Sequence, residues 1–232
     1  MNKNKIRIWH ISDTHALEKN LQVPDNIDIV VHSGDISNYR EHYLNTPECM
    51  NFLEWYAALP IKHKVLVAGN HDTSIERRYI TPADIHARGI TYLENEGTTI
   101  EGLKFWGSPI TPTFGVGWSW NKDRSKIDDV WKHIPEDTDI LITHGPAKGV
   151  LDYSFDRQGN LEMCGCASLK RHVLRVKPKL FCYGHIHNMK GINNNAGYYA
   201  DPNTNTIYSN GSCVYDGKFD IGLTSNGNIF EL

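Results

Sequence analysis

The stretch VLVAGNHD, residues 65–72, decides how the rest of the chain is interpreted. Its first four residues are apolar and indicate a buried strand, and its glycine permits a sharp turn directly after that strand. Three polar side chains, Asn70, His71 and Asp72, then follow at the C-terminal edge of the strand, where open α/β sheets carry their binding sites. Taken alone, the triplet is also typical of an ordinary turn, because Asn and Asp side chains form hydrogen bonds with the backbone of a turn.

The same pattern, an apolar strand followed by polar side chains, recurs at four other places. These strands are predicted over Ile6–Ile11, Ile27–Val31, Asp139–Thr143 and Leu180–Tyr183. The potential ligands that follow them are Asp13 and His15, Asp35, His144, and His185 and His187. One such motif is more often a capped turn than a ligand set, but five in order argue against chance. Because parallel strands share one C-terminal edge, we expect these side chains to converge there.

The remaining elements predict an α/β fold. Helices are expected over Pro47–Leu59, Pro82–Arg88, about Asp123–His133 and Cys166–Val176. A second sheet is expected from short strands around Thr91–Leu93, Thr98–Ile100, Leu103–Gly107, Thr206–Ser209 and Asp220–Leu232. The alternation of strands and helices predicts that the first sheet is mostly parallel. No repeat or linker divides the sequence, so a single domain over residues 1–232 is expected.

Composition and charge exclude several classes of partner. The 232 residues include 24 Lys plus Arg and 27 Asp plus Glu, for a formal net charge of -3. Without a run of five like charges, neither a long nucleic acid nor a membrane is indicated as a partner, although a nucleotide could be a substrate. No stretch has the pattern of a signal peptide or a membrane span, and the five cysteines form no disulfide or zinc pattern. We therefore expect a cytoplasmic protein with buried or partly buried thiols.

The donor types at the predicted sheet edge indicate two divalent metal ions. The seven donors are Asp13, His15, Asp35, Asn70, His144, His185 and His187. They are too many for one tetrahedral zinc and suit two five- or six-coordinate ions. Imidazole with carboxylate and amide oxygens, and no thiolate, suits manganese, iron, zinc or nickel. Two such ions about 3.5–4 Å apart can share a hydroxide, formed from a water molecule that both ions make more acidic, and can hold a phosphoryl group. The pattern therefore points to phosphoester hydrolysis.

The ordered motifs DTH, GD, GNHD, THGP and GHIH, spread over residues 6–187, resemble the calcineurin-like metallophosphoesterase superfamily. The runs WGSP at 106–109, THGP at 143–146 and PKL at 178–180 resemble its MPPED (metallophosphoesterase domain-containing) branch of small phosphodiesterases. The resemblance implies a four-layer α/β/β/α sandwich. It also implies a dinuclear centre at the sheet edges, with Mn²⁺ as the first choice of metal.

The resemblance further implies a role for each ligand. One metal ion would be held by Asp13, His15 and His187. The other ion would be held by Asn70, His144 and His185. Asp35 would bridge the two ions, and a hydroxide shared by them would be the nucleophile.

Two residues of the GNHD motif would act on the substrate side. His71 would face the phosphate, stabilising its charge or protonating the leaving oxygen. Asp72 would accept a hydrogen bond from His71, keep the ring oriented and raise its pKa. Both assignments rest on the resemblance.

Three functional interpretations stay open. The first is a dimetal phosphodiesterase acting on a small phosphodiester such as a cyclic nucleotide. The second is a phosphomonoesterase acting on nucleotides or phosphoprotein. The third is a non-catalytic interaction module on the same fold, and the complete ligand set argues against it.

Other polar and aromatic residues receive weaker predictions. The loop from Ser108 to Ser125 carries Trp118 and Trp120, and either forms a substrate wall or packs as a surface loop. Arg124, at its end, could clamp a phosphate or be solvated.

Two histidines within predicted strands, His10 and His32, are expected in the core. A turn is predicted at Asn193–Asn195.

Overall fold

A computed structural model of the chain describes residues 5–156, 158–187, 192, 194, 197–216 and 221–232. The turn predicted at Asn193–Asn195 lies outside these residues except for Asn194, and so does Asp220, the predicted start of the last strand region. Within the described residues, no helix is both long and apolar enough to cross a membrane.

Short strands make up most of the regular structure. In chain order they are β1 (Arg7–Ile11), β2 (Ile29–His32), β3 (His63–Leu66), β4 (Thr91–Tyr92), β5 (Glu96–Ile100), β6 (Leu103–Ser108), β7 (Thr111–Pro112), β8 (Asn121–Lys122), β9 (Ile140–Thr143), β10 (Tyr153–Phe155), β11 (Leu161–Met163), β12 (Leu180–Tyr183), β13 (Tyr198–Ala200), β14 (Ile207–Asn210), β15 (Val214–Asp216), β16 (Ile221–Leu223) and β17 (Asn228–Glu231). The helices are α1 (His42–Ala58), α2 (Thr73–Glu76), α3 (Pro82–His86), α4 (Asp128–Trp131) and α5 (Ala167–Val176).

Two sheets carry most of these strands. The first has the order β17-β1-β2-β3-β4, and the second has the order β13-β14-β12-β9-β6-β5. In the first sheet β1 to β4 are parallel and only β17 is antiparallel. In the second, β14, β12, β9 and β6 are parallel, and the two edge strands are antiparallel. The predicted mostly parallel arrangement is confirmed.

The sheets pack face to face because their strands are apolar on both sides. In β9, Ile140 and Ile142 belong to the core between the sheets, whereas Leu141 belongs to the core under α4 and α5. The outer face of the first sheet is covered by α1, through residues such as Phe52 and Tyr56. The layers are therefore helix, sheet, sheet and helix, which confirms the predicted α/β/β/α sandwich.

Two strands predicted for the second sheet belong to the first. Thr91–Tyr92 pairs parallel with β3, and Asn228–Glu231 pairs antiparallel with β1. Both strands lie at sheet edges. Their apolar patterns indicate a strand but carry no information about its partner, which long-range packing decides.

Two helix boundaries also differ from the prediction. α1 begins at His42 and contains Pro47 in its interior, five residues after the first. So close to the helix start, the missing N–H of proline costs only one intrahelical hydrogen bond. The helix predicted over Asp123–His133 is a single turn at Asp128–Trp131.

The predictions for the other histidines and cysteines are confirmed. His10 and His32 are fully buried. All five cysteines are free, and only Cys164 is partly exposed.

Candidate metal centre

The predicted site residues converge where the C-terminal ends of both sheets meet. β1, β2 and β3 deliver residues from the first sheet, and β9 and β12 deliver residues from the second. A hydrogen bond from His144 Nδ1 to the carbonyl oxygen of Ser33, 3.0 Å long, joins the two edges. The sequence predicted one shared edge, whereas the structure uses the facing edges of two sheets.

Several ligand candidates have a left-handed backbone. The φ angles of Asp13, His15, Asp35 and His185 are 50°, 44°, 57° and 67°. Such conformations cost about 1–3 kcal/mol each for residues with a Cβ, and they gather at functional sites. Here they turn the chain sharply after each strand, so that the side chains enter one pocket.

The first group of candidate ligands is Asp13, His15 and His187, with ligand atoms within 4.8 Å of one another. His187 Nε2 lies 2.9 Å from Asp13 Oδ1 and 3.4 Å from His15 Nε2. Asp13 is held from behind by the hydroxyl of Ser212, which donates to its Oδ2 at 2.7 Å, and by the backbone N–H of His185. The carboxylate is therefore fixed and fully buried.

The second group is Asp35, His144 and His185, also with ligand atoms within 4.8 Å. His144 Nε2 lies 3.3 Å from Asp35 Oδ2 and 2.8 Å from Asn70 Oδ1, which brings Asn70 into the group. Asp35 Oδ2 also lies 3.9 Å from His15 Nε2, a member of the first group. Asp35 is thus placed between the two groups.

Hydrogen bonds fix the tautomers of two ligand candidates. His15 Nδ1 lies 3.1 Å from the carbonyl oxygen of Ser37, as His144 Nδ1 does 3.0 Å from that of Ser33. A carbonyl oxygen can only accept, so each Nδ1 carries the proton and Nε2 of the neutral ring presents a lone pair to the pocket. Histidines that ligate metals are oriented by this kind of hydrogen bond.

The electrostatics of the pocket fit divalent cations. Burial lowers the pKa of His15 to about 4 and that of His185 to about 3, so both rings are neutral at pH 7, as ligation requires. Burial also lowers the pKa of His144, but the Asp35 carboxylate opposes this and raises it to about 9. His144 and Asp35 therefore bind a positive charge between them, which a proton or a metal ion can supply.

Asp72 accepts no hydrogen bond from the His71 ring, whose Nδ1 bonds to Asn38 instead, so the predicted hydrogen bond between them is wrong. Its carboxylate is fully buried and accepts five hydrogen bonds. The donors are the backbone N–H groups of Asp35, Ile36, Ser37 and Gly69 and the hydroxyl of Ser37. Burial and the Asp35 charge raise the pKa of Asp72 to about 7, while these donors favour its ionised form. Asp72 therefore holds the loop after β2 against the loop after β3.

His71 is oriented by that loop instead. Its Nδ1 donates to the carbonyl oxygen of Asn38 at 2.7 Å, and its backbone N–H donates to Asp35 Oδ1 at 2.7 Å. The ring faces the pocket edge-on to His15, with 4.7 Å between centroids. One ring nitrogen of His71 also lies within 4.8 Å of ligand atoms of His15 and Asp35. The structure thus places His71 beside the first-group residues and beside Asp35.

Aromatic side chains of the long loop form one wall of this pocket, whose volume is about 190 Å³. Trp118 lies 4.9 Å from the ring of His71, and Phe114 lies 4.8 Å from the ring of His185. Trp120 is instead buried in the core under the first sheet. The prediction of a substrate wall therefore fits Phe114 and Trp118, whereas Trp120 follows the alternative of a packed loop residue. Arg124 lines a neighbouring cleft rather than the metal pocket.

Ser212 and Asn38 are site residues that the sequence reasoning missed. Ser212 follows β14, whose sequence IYSN is only half apolar, so the pattern of an apolar strand before polar residues is weaker there than at the five predicted strand ends. Asn38 orients His71 through its backbone carbonyl, so its side-chain type gave no signal.

Gly69 is needed for space rather than for its turn. Its φ lies outside the left-handed region, but a Cβ there would overlap the backbone nitrogen of Asp35. A Cβ at Gly184 would overlap the Asp13 carboxylate in the same way. Only glycine lets the strand ends approach so closely.

Comparison with known proteins identifies the class. The sequence profile of the calcineurin-like phosphoesterase family matches residues 6–189. This chain belongs to the calcineurin-like phosphoesterase family. A solved protein structure superimposes with a TM-score of 0.64 over 89% of this chain and 90% of that chain. Its sequence identity is 16%, so it supports the fold alone.

Curated relatives confirm the resemblance to the MPPED branch. Metallophosphoesterase domain-containing protein 1 of Homo sapiens is 32% identical over 209 residues, covering 78% of this chain and 60% of that protein. UPF0046 protein K07C11.7 of Caenorhabditis elegans is 32% identical over 203 residues, covering 82% and 66%. The chain thus spans less than two thirds of the length of these two relatives.

The role of Asp72 in holding two loops together can be tested by Asp72→Asn. The amide replaces one acceptor oxygen by a donor, so at least two buried N–H groups lose their partner at about 1–3 kcal/mol each. We expect the free energy of unfolding, measured by urea denaturation in EDTA, to fall by about 2 kcal/mol or more. The control is Asp25→Asn at an exposed position, expected within about 0.5 kcal/mol of the unchanged protein. An Asp72→Asn variant as stable as the control would contradict this role.

Proposed function

We propose that this protein is a metal-dependent phosphoester hydrolase that acts on small phosphodiesters, cyclic nucleotides included. The observation that carries the proposal is the pair of ligand groups on either side of Asp35, lined by histidine Nε2 atoms. Family membership supports the same chemistry. We further propose that residues 1–232 form a single domain and that the protein is cytoplasmic.

The residues would divide between two divalent ions, with Mn²⁺ as the first choice and Fe, Zn or Ni as alternatives. One ion would be held by Asp13, His15 and His187. The other would be held by Asn70, His144 and His185, with Asp35 shared. When bound, two such ions make water acidic and neutralise the charge of a phosphoryl group.

His71 is the residue we assign to the substrate. A doubly protonated ring would keep its Nδ1–H bond to the Asn38 carbonyl and present Nε2–H to the pocket. From there it can donate to a phosphate oxygen or give its proton to the leaving oxygen. Trp118, against the His71 ring, limits the access of water to this side of the ring.

The reaction class can be tested with two chromogenic substrates. With Mn²⁺ present, we expect higher kcat/KM for bis-p-nitrophenyl phosphate than for p-nitrophenyl phosphate, because a diester presents one negative charge and two substituents to the pocket. Release of p-nitrophenol is the measurement. A preference for the monoester would favour the phosphomonoesterase interpretation, and no turnover with any of the four metals would favour an interaction module.

The shared position of Asp35 can be tested by Asp35→Asn. Removing a charge that serves both ligand groups should lower the bound metal as well as the turnover. Metal content per chain, measured by elemental analysis after gel filtration, checks this without relying on activity. Asp25→Asn is the matched control. Retention of two metal ions per chain by Asp35→Asn would count against the assignment.

The substrate-facing assignment of His71 can be tested by His71→Ala. The variant should keep its metal content and lose about 10²–10⁴-fold in kcat, as expected for a lost general acid or electrostatic contact. Elemental analysis and steady-state kinetics on the diester are the two measurements. Because His71 also lies near the ligand atoms of His15 and Asp35, a variant that loses metal would show that His71 is a ligand instead.

A further inference from the structure

A second, larger cleft opens directly beside the metal pocket. Its volume is about 660 Å³, and it shares Phe114 and His185 with the metal pocket. Most of its remaining wall comes from the segment after His144 and from the hairpin of β10 and β11 with the residues that follow it, and Arg124 adds to this wall. We call it the hairpin cleft.

The volumes of the two cavities suggest different occupants. Organic ligands usually occupy cavities of about 300–1,000 Å³, and the hairpin cleft falls within this range. The metal pocket, at about 190 Å³, falls below it. A phosphoryl group fits the metal pocket, and a substituent on that phosphoryl group would extend into the cleft past Phe114.

The lining of the hairpin cleft combines apolar and cationic groups. The hairpin contributes Phe155 and Met163, residues that are 42% and 43% exposed. Lys148 and Arg124 add two positive charges, and Glu162 adds one negative charge. Such a surface suits a flat apolar ring system that carries an anionic group.

The two cations differ in how they are held. Arg124 donates to the carbonyl oxygens of Cys164 at 3.1 Å and Gly165 at 3.4 Å, so its guanidinium is fixed on the wall. Lys148 has no carboxylate within 4.0 Å among the residues that the structure describes. Its ammonium is therefore free to meet the anion of a ligand.

We propose that the hairpin cleft selects short phosphodiesters whose distal part is a nucleoside with a terminal phosphate. This inference rests on the proposed function and names the substrate class of that site. The base would lie against Phe155 and Met163, and the terminal phosphate would meet Lys148. For the dinucleotide pApA, one water molecule would be consumed, the bond from phosphorus to the 3′ oxygen would break, and two molecules of AMP would leave.

The proposal can be tested by comparing pApA with ApA, which lacks the terminal phosphate. A hydrogen-bonded charge pair is worth about tenfold or more, so we expect kcat/KM of the Mn²⁺-loaded protein to favour pApA by at least about tenfold. In Lys148→Met this ratio should fall close to one. Glu162→Gln removes the negative charge of the cleft and should raise the ratio. Lys19→Met, at an exposed position away from the cleft lining, should leave it unchanged.

Binding measured by calorimetry in EDTA gives a readout that does not depend on turnover. The unchanged protein should bind pApA at least about tenfold more tightly than ApA, and Lys148→Met should lose this difference. Equal affinity for the two dinucleotides, or a preference that survives Lys148→Met, would overturn the proposal.

If diesters are hydrolysed but this preference is absent, the cleft inference fails while the proposed function stands. If the binding preference is present but no ester is hydrolysed, the proposed function fails and the cleft inference stands.

Discussion

The arrangement of the whole site depends on one buried carboxylate, that of Asp72. It accepts five hydrogen bonds, four of them from the loop that follows β2 and one from Gly69. A buried carboxylate is stable only when such donors replace its hydration. Here four of the donors are backbone N–H groups, those of the candidate ligand Asp35, of Ile36 and Ser37 after it, and of Gly69 just before Asn70. Satisfying one charge therefore also brings two strand ends together.

The same loop then orients the histidines. Its N–H groups point toward Asp72, and its carbonyl oxygens at Ser37 and Asn38 accept from the Nδ1 atoms of His15 and His71. Asp72 thus orients His71 through the loop backbone rather than by direct contact. A similar support lies beneath His144, because Ser33, whose carbonyl accepts from His144, is itself hydrogen-bonded through its hydroxyl to His10. These layers of hydrogen bonds place the ring nitrogens before any ligand arrives.

Most of the fold and most residues of the candidate site could be predicted from the sequence. Apolar runs such as Leu180–Tyr183 were enough to place strands, and the polar residues after them were enough to place candidate ligands. The pairing partner of a strand was harder to predict, as Asn228–Glu231 shows, because pairing between distant parts of the chain depends on packing rather than on local sequence pattern. The Asp72 error has a similar cause. Because Asp72 directly follows His71 in the sequence, a hydrogen bond between the two side chains was predicted. The acceptor for the His71 ring is instead a backbone carbonyl, which no side-chain pattern reveals.

The close approach at Gly69 and Gly184 has a consequence for how this sequence can vary. Neither residue offers a functional group, yet a single added carbon at either position would displace Asp35 or Asp13. Substitutions there would change the distances between the candidate ligands without removing any of them. In a survey of tolerated mutations, these two glycines should therefore tolerate substitution as poorly as the candidate ligands beside them. The space without a side chain at each glycine is needed for the geometry of the site, as the surrounding side chains are.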